Sequence, residues 1–239
     1  MNRTALLLAL LVGACSQGHV ETTAVAAVGA RPAPSHVVVS DFTVAPGQVQ
    51  LDSGAIAQIR RERSAQPVEV TQQQIATRAQ AALAETLAKR LGEYGLPVER
   101  RSVDAQPLPR SLLVQGQFVS INQGNRTRRV MIGLGSGAST MEANAQLYYA
   151  ADAARPLFMT SFNATADSGR MPGAAETMGV GAAAGSIGSS AAISGGLHAG
   201  AEMRRTGEEA LADKLAEALA KQIGQYAVSE GWIPATALH

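Results

Sequence analysis

Cysteine occurs once in the 239 residues, at Cys15. A single thiol excludes an internal disulfide, a cysteine-based zinc cluster and a CxxC redox site within this chain. A lone thiol can still act as a nucleophile in its thiolate form. The small residues Gly13 and Ala14 stand directly before it, and an apolar run, ALLLALLV, precedes them. Cys15 is therefore the first position at which the sequence predicts chemistry.

Residues 1–14 have the pattern of a bacterial secretory signal peptide. Arg3 supplies the positive charge near the N-terminus, and the apolar run covers residues 5–12. A run of this length is too short for a membrane span, which needs about 20 apolar residues. Small residues after the run fit the site at which a signal peptidase cuts. We therefore expect residues 1–14 to be removed.

The motif Val12-Gly13-Ala14-Cys15 is similar to a lipobox, at which lipoprotein signal peptidase cuts before the cysteine. This resemblance implies a diacylglycerol thioether on Cys15, and membrane lipid becomes the first expected partner. More than one acyl chain anchors a protein stably. Ser16, rather than Asp, resembles the pattern of lipoproteins forwarded to the outer membrane. The expected location is the periplasmic face of the outer membrane.

The glycine-rich stretch GLGSG suggests a comparison with nucleotide-binding loops. It contains Gly133, Gly135 and Gly137, but Ala138 stands near the place of the third glycine of GxGxxG. No Lys-Ser or Lys-Thr pair follows, as a P-loop requires. We therefore interpret the three glycines as a structural turn between strands.

Other signs of catalysis or metal binding are missing from the sequence. The four histidines, His19, His36, His198 and His239, are scattered and lack the spacing of converging metal ligands. No GxSxG nucleophile motif occurs. Asp41 is the most plausible buried acid, although a solvated carboxylate at a sheet edge is the favoured interpretation. The sequence predicts no catalytic residue, no metal, no cofactor and no enzymatic activity.

Charge and aromatic content exclude a nucleic-acid partner. The formal net charge is +1 and aromatic residues make up 4%, so neither charge attraction nor base stacking is favoured. Arginine outnumbers lysine 17 to 3, with clusters at 60–63, 100–101 and 126–129. Arginine suits bidentate contact with phosphates and carboxylates, including lipid headgroups. A solvated face balanced by acids is the favoured alternative.

Two stretches have apolar residues at every fourth position, which is typical of amphipathic helices. A capping box of Thr71 and Gln74 predicts the start of the first helix, and one of Thr206 and Glu209 that of the second. A further short helix is predicted over 53–63. The apolar anchors are Ile75, Ala79, Leu83, Leu87 and Leu91 in the first helix and Leu211, Leu215, Leu219 and Ile223 in the second.

Strands are predicted from alternation at 112–121, with Leu113, Val119 and Ile121 on one face and Val114 and Phe118 on the other. The other extended segments are 37–44, 96–101, 128–132, 141–149 and 156–164. Helices on one face of such a sheet bury both sets of apolar residues. The expected fold is therefore α+β, with a mixed, largely antiparallel sheet of about five strands and two main amphipathic helices on one face.

Composition divides the chain into segments. Residues 15–35 have no periodicity and are predicted to be a lipidated cysteine and a flexible tether. One periplasmic α+β domain is expected over 36–172 and 202–234. Residues 173–201 are rich in Gly, Ala and Ser, which leaves open a linker, a glycine-zipper helix packed in an oligomer, or a membrane-inserted element. The small-residue pairs that would make oligomer contacts are Gly181, Gly185, Gly196 and Gly200.

Residues 112–149 resemble the core of a bacterial lipoprotein family of unknown function, the DUF4410 type. The shared pattern is a strand with G-x-F-x-x-I-x-x-G, an arginine, a G-x-G-x-G-x-S turn and an alternating strand. A small-residue stretch and a final Gly-Trp, here Gly231-Trp232, also recur. The element order is similar to the small α/β domain of curli-export and penicillin-binding-protein-activating lipoproteins. Neither resemblance supplies catalytic residues.

The expected function follows from these observations. The sequence predicts a non-enzymatic outer-membrane lipoprotein whose periplasmic domain binds an envelope protein or a second copy of itself. The alternative is an oligomeric export or pore component, assembled through residues 173–201.

Overall fold

The computed structural model of the chain describes residues 18–26, 29, 31–45, 47–64, 66–102, 104–132, 136–152, 155–169 and 207–238. Within these ranges the fold is α+β, as predicted, with seven strands in one mixed sheet and four α-helices. None of the described helices has the length and apolarity needed to cross a bilayer. The strands are β1 (His19–Val25), β2 (His36–Val39), β3 (Val49–Gln50), β4 (Val98–Arg100), β5 (Ser111–Asn122), β6 (Thr140–Ala150) and β7 (Leu157–Asp167). The helices are α1 (Ala55–Ser64), α2 (Val68–Glu93), α3 (Arg126–Ile132) and α4 (Gly207–Ser229), followed by a 3-10 helix, Ala235–Leu238.

The strand order is β1-β7-β6-β5-β2-β4, and β3 pairs with the last residues of β5. The pairings among β1, β7, β6 and β5 are antiparallel, and β2, β3 and β4 add parallel pairings. β3, β5 and β7 therefore finish at the end of the sheet where β1 and β6 begin. We call this the β3 end. Four registers define it: Gln50 opposite Asn122, Asn122 opposite Thr140, Thr140 opposite Asp167, and His19 opposite Thr165.

Helices α2 and α4 pack against each other and against one face of the sheet, and they bury the apolar residues predicted from their spacing. All nine predicted anchors are buried, with exposed fractions of 0 to 3%. Alanines that lie between the anchors, such as Ala84 and Ala216, are also fully buried. Small side chains at these positions let the helix backbones approach closely. The high alanine content thus builds a close-packed helix layer.

The capping box predicted at Thr71 and Gln74 is wrong. Helix α2 begins at Val68 after Pro67, which has φ −56° and ψ 143°. Proline fixes φ near the helical value and lacks the N–H that a first helical turn would leave unpaired. Thr71 instead lies inside the helix, where its hydroxyl donates to the Pro67 carbonyl at 3.3 Å. For the second helix, α4 begins at Gly207, and Thr206 lies outside the described residues.

The two faces predicted for strand 112–121 are partly wrong because β5 contains a bulge. The register with β6 shifts between Phe118 and Ser120. An extra residue in one strand reverses the alternation beyond it. Val119 is therefore 47% exposed, and Ile121 is buried together with Phe118.

The return strand predicted at 128–132 is wrong, since these residues belong to α3. The side chain of Asn125 accepts the backbone N–H of Arg128 at 2.8 Å. This bond satisfies one of the free donors of a first helical turn. The cap therefore outweighs the strand propensity of the β-branched residues that follow.

The flexible tether predicted over 15–35 is wrong where the chain forms β1. Residues His19–Val25 pair with β7 along the edge of the sheet, and Thr23 and Ser161 hydrogen-bond at 2.7 Å. Gly18 lies so close to α4 that an added Cβ would be 2.7 Å from the Lys214 carbonyl oxygen. Pairing with residues about 140 positions away creates this strand, so no local pattern reveals it.

The proline-containing part of the predicted tether also packs on the domain. Tyr149 donates to the Pro32 carbonyl at 3.1 Å, and the Trp232 indole N–H donates to the Arg31 carbonyl at 3.0 Å. Tyr226 stacks edge-on against Trp232, with ring centroids 5.9 Å apart. Burial, and then the nearby carboxylate of Glu230, raises the pKa of Tyr226 to about 12.

Replacing Gly116 of β5 with alanine should lower the free energy of unfolding by about 1 to 3 kcal/mol. A Cβ at this position would collide with the Phe42 ring and with the backbone oxygen of Asn144. Gly92→Ala is the matched control, because it lies near the end of α2 with no atom within 4 Å of an added Cβ. We expect the control substitution to raise the free energy of unfolding by up to about 1 kcal/mol, because alanine has a higher helix propensity than glycine. Denaturant unfolding measures both changes, and equal stabilities would contradict the packing described here.

Candidate functional site

Helices α1 and α3 lie beyond the β3 end of the sheet. α1 follows β3 after a four-residue connection, and α3 follows β5 after a three-residue turn. The two connections meet at Gly54, where an added Cβ would be 2.8 Å from the Thr127 hydroxyl and 3.0 Å from an Asp52 carboxylate oxygen. The start of α1 therefore packs closely on the start of α3.

The buried carboxylate of Asp52 joins these two helix starts. Its Oδ1 accepts the backbone N–H of Gly54 at 2.8 Å and that of Arg126 at 3.2 Å, and the residue is 5% exposed. The Arg126 Nε lies 3.8 Å from Oδ2. A carboxylate that accepts backbone N–H groups makes charge-assisted bonds, which are stronger than neutral ones. One side chain thus fixes how α1 is placed relative to α3.

A second buried acid extends this network to α4. Glu208, in the first turn of α4, is 6% exposed and accepts a hydrogen bond from the Gln123 side chain. The Gln123 side-chain oxygen in turn accepts the backbone N–H of Asp52 at 3.0 Å. Arg61 of α1 donates to the Asp52 carbonyl at 2.8 Å. Three helices are therefore connected through Asp52 and Gln123.

Sequence reasoning missed both buried acids. Asp41, named as the most plausible buried acid, is solvated at 59% exposure and pairs with Arg100 at 2.9 Å, in line with the favoured interpretation. The available signal for Asp52 was its place in Asp-Ser-Gly directly before a helix, where acidic side chains accept free N–H groups. Glu208 had the matching signal of an acid in a first helical turn.

Exposed apolar and basic side chains are concentrated on α1, α3 and the first turn of α2, and these three elements line one groove. Of the nine large apolar side chains that are exposed among the described residues, six lie on these three elements. Scattered exposed apolar residues are normal, but a cluster marks a contact surface. We call this surface the basic–apolar face. Its residues are Ile56, Ile59, Arg60, Arg63, Val68, Val70, Arg128, Met131 and Ile132.

The arginines of the face carry positive charge that no described acid neutralises. Arg60, Arg63 and Arg128 make no side-chain hydrogen bond or ion pair with any residue the structure describes, whereas Arg90 and Arg100 each bind a carboxylate. α1 and α3 together contain six arginines and one glutamate, a formal charge of +5. Because the whole chain carries +1, the remainder carries −4. α1 and α3 are therefore strongly basic, whereas Asp52 and Glu208 belong to the network beneath them and Glu69 lies in the first turn of α2.

An open groove of about 390 Å³ lies between α1, α3 and the start of α2. Its lining is mostly apolar. It includes the apolar residues Leu51, Ile56, Ala57 and Met131, the basic residues Arg60, Arg61 and Arg126, and the acid Asp52. α1 has no buried residue at all. A helix of this kind gains little from burial in the core and leaves most of its surface exposed.

A family model for a domain of unknown function, DUF4410, matches residues 37–185. This range is more than half of the chain. The chain belongs to the DUF4410 family. The resemblance inferred from residues 112–149 is therefore confirmed. No curated protein matches the chain.

Solved structures similar to this DUF4410 chain include two PelC dodecamers from Paraburkholderia phytofirmans. A point variant of PelC is 13% identical, with a TM-score of 0.35, over 85% of this chain and 95% of that chain. A second crystal form is 13% identical, with a TM-score of 0.34, over 84% and 96%. Likenesses at this level do not bear on function.

Most site residues predicted for this DUF4410 chain lie outside the described residues. Gly137 is described: it has φ 75° in the turn before β6, and its carbonyl accepts the N–H of Asn125 at 3.0 Å. Cys15 lies three residues before the first described residue, Gly18. The others outside the described ranges are Val12, Gly13, Ala14, Gly133, Gly135, Gly181, Gly185, Gly196 and Gly200.

The described part of this DUF4410 chain contains no group of three or more His, Cys, Asp or Glu side chains arranged to hold a metal ion. Its described histidines form separate exposed pairs, His19 with Glu21 at 3.2 Å and His36 with Glu99 at 2.8 Å. The basic–apolar face is therefore the candidate binding site in the described part of the chain. It can bind a partner that carries both negative charge and apolar surface.

Proposed function

We propose that the protein is a non-catalytic lipoprotein of the bacterial outer membrane whose periplasmic domain binds another envelope component. The observation that carries the proposal is the basic–apolar face, which combines unpaired guanidinium groups with exposed Ile and Met side chains. Contact surfaces are enriched in arginine and methionine. The lipobox at Cys15 supports the anchor.

The composition of the face favours binding over catalysis. The two buried acids nearby, Asp52 and Glu208, are occupied by backbone and amide donors. General acid–base catalysis needs a titratable group within hydrogen-bond reach of a substrate. These acids instead hold α1, α3 and α4 in place, so they support the surface and do not react on it.

The anchor is tested by expressing the full chain and its Cys15→Ser variant in a Gram-negative host. We expect the mature wild-type chain to begin at Cys15, to carry acyl chains in its intact mass, and to sediment with membranes. The variant should lack the acyl mass and, unlike the wild type, be released from the membrane fraction by high salt, because without acyl chains only electrostatic and interfacial contacts hold it. An unmodified wild-type N-terminus would overturn the proposed anchor.

Ser16→Asp is the matched control for the outer-membrane part of this proposal. It keeps Cys15, so the acyl mass should stay unchanged. Density-gradient separation of inner and outer membranes should then show the variant moving to the inner membrane. An unchanged position in the gradient would contradict the role assigned to Ser16.

A further inference from the structure

The described chain begins at the same end of the sheet as the basic–apolar face. His19, the first residue of β1, lies opposite Thr165, two residues from the end of β7. Gln50, the last residue of β3, lies at this same end, because β3 pairs with the end of β5, β5 with the start of β6, and β6 with the end of β7. Four strand spacings separate β1 from β3, about 19 Å across the sheet. A flat surface placed against the β3 end can therefore contact both the start of β1 and the end of β3.

Only two residues, 16 and 17, lie between Cys15 and the first described residue, Gly18. Three residue steps separate Cys15 from Gly18, which gives at most about 11 Å when fully extended. Gly18 is held closely against α4, with an added Cβ 2.8 Å from the Ala218 Cβ. An acylated Cys15 would thus keep Gly18, which directly precedes β1 at the β3 end, within about 11 Å of the bilayer surface.

The charge and side-chain chemistry of the face match a phospholipid surface. Along α1, Ile56, Arg60 and Arg63 follow one another at the four- and three-residue spacing that puts side chains on one helix face. On α3, Arg128 and Ile132 are four residues apart and therefore also lie on one helix face. Interfacial helices insert apolar side chains at the boundary of headgroups and acyl chains, while arginines bind phosphate.

We propose that the basic–apolar face docks on the anionic lipid headgroups of the membrane that anchors Cys15, with Ile56, Ile59 and Met131 inserted among them. The proposal rests on the lipid anchor of the proposed function. It fixes the orientation of the domain: the strands stand away from the membrane, and the opposite end of the sheet projects into the periplasm.

Two single-cysteine variants of the lipidated protein test this orientation. The thiol of Cys15 is consumed by the acyl group, so a cysteine introduced elsewhere is the only free thiol in the chain. Ile59→Cys places a fluorophore on the face, at a residue that is 50% exposed. Leu157→Cys is the matched control, because this 39% exposed residue begins β7 at the opposite end of the sheet. An eleven-residue strand places the control about 33 Å from the β3 end.

The labelled proteins are reconstituted in vesicles of phosphatidylcholine and phosphatidylglycerol that carry brominated acyl chains. We expect the fluorophore at residue 59 to lose most of its emission to bromine quenching and the one at residue 157 to lose none. Without phosphatidylglycerol, or at high salt, the quenching at residue 59 should fall, because screening weakens headgroup attraction.

If bromine quenches the fluorophores at residues 59 and 157 equally in lipidated, vesicle-bound protein, the docking proposal is overturned and the anchor stays intact. Protein without acyl mass would instead overturn the anchor. A third result would also overturn the docking: residue 59 is not quenched in vesicles, but it is shielded in dimers that form in detergent as the protein concentration rises. The face would then be assigned to a second copy of the chain.

Discussion

Reversing the charges of Arg60 and Arg128 together should lower binding of the unanchored protein to anionic vesicles by more than about 100-fold. Each arginine near an anionic membrane contributes about 1 kcal/mol, and glutamate replaces that attraction with repulsion. Two reversals therefore remove roughly 4 kcal/mol, and each 1.4 kcal/mol is tenfold in binding. Arg60→Glu/Arg128→Glu is made in the Cys15→Ser chain, because an acyl anchor would mask the loss.

The control for this prediction changes net charge equally but away from the face. Arg78 of α2 and Lys221 of α4 are exposed, and neither belongs to α1 or α3. Arg78→Glu/Lys221→Glu should change vesicle binding by less than about tenfold, since charge beyond a Debye length of the membrane is largely screened. Flotation of vesicles with and without phosphatidylglycerol measures both variants.

The two pairs of variants separate a docking face from general attraction between a protein and a charged surface. If both lose binding equally, only net charge matters, and the basic–apolar face has no special role. If neither loses binding, the contact lies elsewhere on the molecule. Melting temperatures should remain within a few degrees of the parent, because all four side chains are exposed and lie outside the core.

Sequence periodicity predicted the parts of the fold that local chemistry determines. The helices α2 and α4 followed from leucines at every fourth residue, because a helix that packs on a sheet must bury one stripe. β6 followed from the strict alternation of Met141 to Tyr149. The family resemblance, inferred from residues 112–149, is confirmed by a family model that matches residues 37–185.

Two of the parts that the sequence did not predict depend on contacts between distant residues. β1 exists because it pairs with β7, and nothing in HVETTAV distinguishes it from a tether. The bulge at Val119 moves Ile121 to the other face, which strict alternation does not anticipate. The strand predicted at 128–132 rests on its Val, Met and Ile residues, whereas the local cap at Asn125 starts α3 there. The errors at β1 and at the bulge therefore concern distant partners, and those at α3 and Thr71 concern local helix starts.

The candidate site was missed for a related reason. The arginine clusters at 60–63 and 126–129 were visible in the sequence, but they lie more than 60 residues apart. Only the parallel pairing of β3 with β5 places α1 and α3 side by side. The exposed isoleucines of α1 were equally visible, yet an isolated sequence does not show that no core covers them.

Removing the buried carboxylate of Asp52 should lower the free energy of unfolding by about 3 kcal/mol. Asp52→Ala leaves the N–H groups of Gly54 and Arg126 without their acceptor, and Gly54 is buried. A bond to a charged group contributes about 1.5 to 3 kcal/mol, and an orphaned buried donor costs about 1 to 3. Asp41→Ala is the control, since its exposed pair with Arg100 is worth under about 1 kcal/mol. Denaturant unfolding compares the two, and equal losses would contradict the role of Asp52.

Asp52→Ala and Asp52→Asn together also show whether helix placement or charge governs membrane binding. Both substitutions raise the net charge by one, so electrostatic attraction to anionic vesicles should rise equally in both. Asn keeps an oxygen that can accept from Gly54 and Arg126, whereas Ala does not. If Asp52 works by holding α1 against α3, vesicle binding of the Asn variant is kept or strengthened, and that of the Ala variant falls despite its added charge. Increased binding by both would mean that charge alone governs the contact and that the placement of α1 on α3 is irrelevant to it.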